Sequence, residues 1–136
     1  MCSSDLTFWH GKGKPDHDRY VFLINAVDEG YGGLEHKHCT ALICQRQDLP
    51  HIHQPSASDG YVGLLGLISH EYFHTWNVKR LRPFELSHYD YTQENYTHLL
   101  WFFEGFTSYY DDVLLCRSEL ISPAVDRKST RLNSSH

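Results

Sequence analysis

The first third of the chain contains two apolar stretches of the length of β-strands. Residues 20–27 are mostly apolar, β-branched or aromatic, which is typical of a buried strand. Residues 28–33 contain three glycines, and apolar character resumes over residues 34–44. Two strands around a glycine-rich turn predict a β-hairpin. Residues 45–58 are polar with two prolines and predict a loop.

Apolar residues at steps of three and four predict two helices in the rest of the chain. The first runs from Gly60 to about Lys79, with Ser58 or Asp59 able to cap its start, because a short side-chain oxygen can accept a free backbone N–H there. The second runs over about residues 92–115. The expected core positions are Tyr61, Leu64, Leu65, Ile68, Tyr72 and Trp76 in the first helix, and Leu99, Phe102, Phe103, Phe106, Tyr110 and Val113 in the second.

The first predicted helix contains His70-Glu71-Tyr-Phe-His74. Histidines four residues apart project from one face of a helix, one turn apart. Two imidazoles in this arrangement can bind one Zn²⁺. Glu71 points in a neighbouring direction, where a carboxylate can take a proton from a water activated by the metal. The pattern therefore predicts a zinc site in which Glu71 is the catalytic base.

A zinc site with two histidines needs a third protein ligand, and the second predicted helix offers one. Glu104 lies inside the aromatic run 101–106, and a buried carboxylate is costly unless it is paired or binds a metal. We therefore predict Glu104 as the third ligand. The alternative is a salt bridge to an arginine at the end of the first helix. Asp111 and Asp112 are weaker candidates, and we expect them at a solvated end.

Three separate strings resemble the glycyl aminopeptidase family of metallopeptidases, which belongs to the gluzincins. They are Gly-Gly-Leu-Glu-His over residues 32–36, the histidine motif with its continuation over residues 70–83, and the aromatic run with Glu104 over residues 101–110. The resemblance covers roughly residues 20–121. Three motifs in the same order are far more specific than the five-residue zinc pattern alone.

The resemblance implies an α+β fold, namely part of a thermolysin-like catalytic domain with an antiparallel hairpin or sheet followed by two zinc-bearing helices. It also implies that Glu104 is the third ligand. Gly33 and Glu35 would belong to a substrate-binding motif, in which Glu35 holds the free amino group of a peptide while the strand edge pairs with its backbone. The alternative for Glu35 is an exposed strand acid. Relatives place an oxyanion-stabilising tyrosine further downstream, and no counterpart is assigned here.

The predicted function is zinc-dependent peptide hydrolysis by an aminopeptidase that releases N-terminal residues, with glycine as the residue that the resemblance suggests. Three alternatives stay open. The chain could be an inactive truncated fragment of such an enzyme, or an endopeptidase on the same scaffold. It could also be a non-catalytic histidine-rich metal-binding domain, whose ligands would be His36, His38, His51 and His53 with Cys39 or Cys44.

Composition narrows the partners and the domain plan. The formal charge of −5 over 136 residues gives no basic footprint for nucleic acid, so the expected partner is a peptide substrate. No apolar run reaches the length of a membrane span and no signal peptide is visible, while localisation and oligomeric state stay open. We predict a partial metallopeptidase catalytic domain over residues 7–124, with non-native or disordered ends at residues 1–6 and 125–136.

Overall fold

The computed structural model describes residues 8, 10–53 and 56–123. They form a small α+β arrangement of one three-stranded sheet and two helices, which agrees with the predicted fold class. Both predicted ends, residues 1–6 and 125–136, lie outside the described residues. In chain order the elements are β1 (Val21–Val27), β2 (Gly32–Glu35), β3 (Cys39–Gln45), α1 (Asp59–Phe73) and α2 (Leu100–Arg117), with short 3-10 turns at Arg46–Asp48 and Phe84–Leu86.

The sheet has the order β1-β3-β2, so the hairpin predicted between residues 20–27 and 34–44 is wrong. β1 is parallel to β3, and the tight antiparallel pair is β2 with β3. β3 is the strand that can be apolar on both faces, because Ala41 and Ile43 alternate with the buried Leu42 and Cys44. Such a strand gains most at the centre of a sheet, whereas the glycine-rich β2 is left at the edge.

α1 begins as predicted, because the Ser58 hydroxyl accepts the backbone N–H of Tyr61 at 3.1 Å. It ends at Phe73 rather than at Lys79. Beyond this point the Thr75 N–H donates to the Tyr72 carbonyl, three residues before it, and not four as in an α-helix. Val78 adopts a φ of +147°, far from the negative φ of a right-handed helix. The second histidine of the motif therefore lies at the end of the helix, next to a tight turn.

α2 begins at Leu100, eight residues after the predicted start at residue 92. Local side-chain bonds hold the preceding segment as a loop: Asp90 accepts the backbone N–H of Thr92, and the Asn95 amide donates to the Asp90 carbonyl. Short polar side chains of this kind compete with helix formation.

The face that α2 buries is narrower than predicted. Phe103, Thr107 and Leu114 are buried, whereas Leu99 and Phe106, expected in the core, are 41% and 43% exposed. The buried apolar cluster Leu65, Leu115 and Ile121 joins α1 to the end of α2. This packing brings together the helix faces that carry the predicted metal ligands. No helix within the described residues is long and apolar enough to cross a membrane.

Candidate metal centre

The three side chains predicted as metal ligands converge at the junction of α1 and α2. The Nε2 atoms of His70 and His74 lie 3.2 Å apart. From α2, the Glu104 carboxylate places Oε2 at 3.3 Å from His70 Nε2 and Oε1 at 3.6 Å from His74 Nε2. One donor atom from each residue can be chosen so that all lie within 4.8 Å of one another.

These separations fit a zinc ion. Two donor atoms at about 2.1 Å from a tetrahedral zinc ion lie about 3.4 Å from each other, close to the 3.2 Å between the two Nε2 atoms. Each of these nitrogens faces a different oxygen of Glu104, at 3.3 and 3.6 Å. Two imidazoles and one carboxylate are also a ligand set that zinc accepts in catalytic sites, where a fourth position stays open. Within the part of the chain that the structure describes, no second group of three such side chains comes together.

Each histidine is oriented by a partner on its other ring nitrogen. His70 Nδ1 lies 3.0 Å from Asp111 Oδ2, and His74 Nδ1 lies 2.9 Å from the Asn77 carbonyl oxygen. Donation by Nδ1 leaves the Nε2 lone pair of each ring free for a metal. The expectation that Asp111 lies at a solvated end is wrong, since its side chain is only 13% exposed. Its position two helical turns after Glu104, on the same face, could have indicated this role.

Asn77 connects the turn after the motif to α2. Its side-chain amide donates to the Phe103 carbonyl at 3.0 Å and to the Thr107 hydroxyl at 3.1 Å, and both Asn77 and Thr107 are buried. The residue that orients His74 is thus anchored to the helix that carries Glu104. This link has no signal in the sequence, because a single asparagine beyond a helix end follows no periodic pattern.

The predicted ligands His70, His74 and Glu104 strongly affect one another's pKa values. Burial lowers the pKa of His70, but its hydrogen bonds to Asp111 and Glu104 outweigh this and raise the pKa to about 10. The same balance of burial against hydrogen bonds, here to Glu104 and Asn77, raises the pKa of His74. Hydrogen bonds from the two histidines hold the pKa of Glu104 far below its usual range. Without a metal, a proton on the imidazoles satisfies the carboxylate, so a metal ion must displace that proton.

Glu71, the predicted base, is buried with 6% of its surface exposed. Burial is the main cause that raises its pKa. Its Oε2 atom is enclosed and makes no hydrogen bond within the described residues. The carboxylate lies directly against Gly33 of β2, where any Cβ atom would collide with it. The structure therefore brings Gly33 together with Glu71, through a contact that only glycine permits.

Glu35, the predicted amine anchor, also lies on β2 but is already paired. Its Oε1 atom is 3.0 Å from Lys79 Nζ, and the two side chains are only 23% and 16% exposed. The alternative of an exposed strand acid is therefore wrong, since most of the Glu35 side chain is covered. Whether this carboxylate binds an amine remains a prediction.

The histidines proposed for a storage or structural metal site are dispersed. His36 Nδ1 bonds the Leu34 carbonyl at 3.1 Å, whereas His51 and His53 are exposed at the start of a loop. Across residues 8, 10–53 and 56–123 they form no three-ligand cluster with each other or with the cysteines. Among the described residues, the one cluster of this kind is His70, His74 and Glu104.

Comparison with known proteins places these residues in a family context. The family model of M61 glycyl aminopeptidase matches residues 63–134, more than half of the chain. A crystal structure of an aminopeptidase N family protein from Idiomarina loihiensis is similar, with 43% identity and a TM-score of 0.82 over 88% of this chain. The match covers 20% of that structure, so the present chain spans about a fifth of its length. No curated protein matches the chain.

Proposed function

Because the chain belongs to the M61 glycyl aminopeptidase family, we propose that it is a zinc-dependent peptidase whose metal ligands are His70, His74 and Glu104. The observation that carries this proposal is the convergence of their donor atoms within 4.8 Å. The second nitrogen of each imidazole is engaged by Asp111 or by the Asn77 carbonyl. The likeness to an aminopeptidase N family structure supports a thermolysin-like catalytic arrangement around these two helices.

Glu71 is the general base of the proposed reaction. A zinc ion at this site would lower the pKa of a water molecule to about 7 and polarise the peptide carbonyl. The Glu71 carboxylate takes the proton of the attacking water and passes it to the leaving nitrogen. Burial raises the pKa of its carboxyl group, which suits this double role, because a more basic carboxylate accepts the proton of water more readily.

β2 supplies the binding edge for the substrate. Among the described residues it pairs with β3 on one side only, so its other edge can pair with an extended peptide backbone. Glu35 lies at the end of this strand, and a carboxylate there can accept hydrogen bonds from the ammonium group of a peptide's first residue. We therefore propose an aminopeptidase. The preference for N-terminal glycine rests on the family description alone.

Metal content and hydrolysis measured together test the proposal. We expect one zinc per chain by elemental analysis, and hydrolysis of a free-amine glycyl peptide that a chelator abolishes and zinc restores. His70→Ala should lose both. His51→Ala, which removes an exposed histidine, should keep both. Chelator-resistant hydrolysis would contradict the proposal.

The same experiment separates the alternatives. If the chain binds zinc but hydrolyses no peptide, it is a metal-binding segment without the peptidase activity of its family. Zinc that remains after His70→Ala would indicate a different, histidine-rich site. Hydrolysis of an N-acetylated peptide as fast as its free-amine counterpart would indicate an endopeptidase.

A further inference from the structure

Lys79 places a positive charge beside the substrate-binding edge. Its Nζ atom is 3.0 Å from Glu35 Oε1, and only 16% of its side chain is exposed. The pair joins two segments that are distant in sequence, the end of β2 and the turn after α1. A pair that is mostly covered is less screened by solvent than a surface ion pair, and removal of one partner leaves a partly buried charge without compensation.

The turn that carries Lys79 is the same turn that orients a metal ligand. The Asn77 carbonyl holds the ring of His74 at 2.9 Å, and the backbone N–H of Lys79 donates to the His74 carbonyl at 3.0 Å. Between them Val78 is held at a φ of +147° with its side chain buried. A strained residue persists only where its surroundings determine the conformation. Three consecutive residues therefore fix the geometry between the metal site and Glu35.

We infer that Lys79 is a positioning residue for amine recognition, and that it sets the preference of the site for peptides with a free amino terminus. Lys79 holds the Glu35 carboxylate in place through Oε1. The other carboxylate oxygen, Oε2, has no hydrogen-bond partner among the described residues and is left for the substrate ammonium. This inference rests on the proposed function.

The chemistry explains why an amine anchor needs such a lysine. A partly buried carboxylate without a counter-charge turns toward solvent, where it can be hydrated, and this removes the acceptor that an ammonium requires. A permanent partner keeps the carboxylate in the same position between substrates. Lys79 belongs to the turn that also orients His74, so the distance between Glu35 and the metal site stays constant. This distance determines which peptide bond reaches the metal.

Lys79→Met is the direct test, since it removes the ammonium and keeps the apolar stem. For a free-amine glycyl peptide we expect KM to rise about tenfold and kcat to change far less, because ground-state binding is lost. The preference for this peptide over its N-acetylated form, as a ratio of kcat/KM values, should fall about tenfold. Lys79→Arg should restore most of the preference. In a Glu35→Gln background, Lys79→Met should have almost no further effect on that ratio.

Lys37→Met is the matched control, because Lys37 is exposed two residues beyond Glu35 and forms no ion pair within the described residues. It should leave the preference unchanged. Zinc content and melting temperature of each variant identify any that fail to fold, and Lys79→Arg then carries the test. An unchanged preference in Lys79→Met would overturn the inference, as would a lower KM, which would mean that Lys79 competes with the substrate. A wild-type protein that shows no preference, or no zinc-dependent hydrolysis, would overturn the proposed function itself.

Discussion

At Gly33 the absence of one methyl group determines where the proposed base can lie. A Cβ atom there would collide with the carboxyl carbon and Oε1 of Glu71. Glu71 is buried, so it cannot move aside into solvent without leaving the metal site. Gly33 of β2 therefore affects the proposed catalysis indirectly, by leaving room for the Glu71 side chain of α1.

Gly33→Ala should therefore retain zinc and lose about a hundredfold in kcat, since a displacement of about 1 Å in a reacting group can have that effect. The control is Gly63→Ala in α1, where a Cβ atom meets nothing within 4 Å. That variant should keep its turnover and gain up to about 1 kcal/mol in stability. Steady-state kinetics with zinc analysis on both variants checks the prediction, and full turnover in Gly33→Ala would contradict it.

The cluster of His70, His74 and Glu104 could be predicted from sequence, because each residue follows from a short-range rule. His70 and His74 follow from the four-residue helical step, and Glu104 follows from a charged residue in an aromatic run. Lys79 as the partner of Glu35 could not be found in the same way. That contact depends on how a strand and a turn approach each other in three dimensions.

At the scale of elements, both helices and the first strand could be predicted, but their ends and the strand pairing could not. The second predicted strand, over residues 34–44, is in fact two strands, β2 and β3. The parallel pairing of β1 with β3 has no local sequence signal, since it depends on competition between strands for the centre of the sheet. The early end of α1 has a physical cause in the turn that begins at His74. There the side-chain bond to the Asn77 carbonyl replaces continued helix.

Asn77→Ala tests whether this turn ties α1 to α2. The variant loses both side-chain hydrogen bonds, to the Phe103 carbonyl and to the Thr107 hydroxyl. Buried hydrogen bonds of this kind contribute about 1–3 kcal/mol in total, so urea unfolding of the metal-free protein should show a loss in that range, and zinc affinity should fall with it. Asn25→Ala, at an exposed position on β1, should change stability by less than about 0.5 kcal/mol. Equal stability in the two variants would contradict the link.

At the scale of the whole molecule, proton and metal binding should oppose each other. The pKa of His70 is raised to about 10 by Asp111 and Glu104 despite burial, so its ion pair stabilises the metal-free protein below pH 6.5. This contribution is lost as the pH rises toward 10. Zinc requires the deprotonated ring, and its binding therefore becomes more favourable over the same range.

Zinc affinity should accordingly increase at least about tenfold per pH unit between pH 6 and pH 8, since at least the proton of His70 is released for each ion bound. The difference in melting temperature between zinc-loaded and metal-free protein should widen with it. Competition with a chelator of known affinity measures the first quantity and calorimetry the second. A zinc affinity that does not change with pH would contradict the coupled ligand set.

The central claim is that a metal held by His70, His74 and Glu104 acts together with Glu71 as the base. Glu71→Gln addresses it most directly, because Glu71 is near the three ligands without being one of them. The variant should retain one zinc per chain and lose about 10²–10⁴-fold in the hydrolysis of a free-amine glycyl peptide, the range expected for removal of a general base. Wild-type turnover in a Glu71→Gln protein that still holds its zinc would contradict the account.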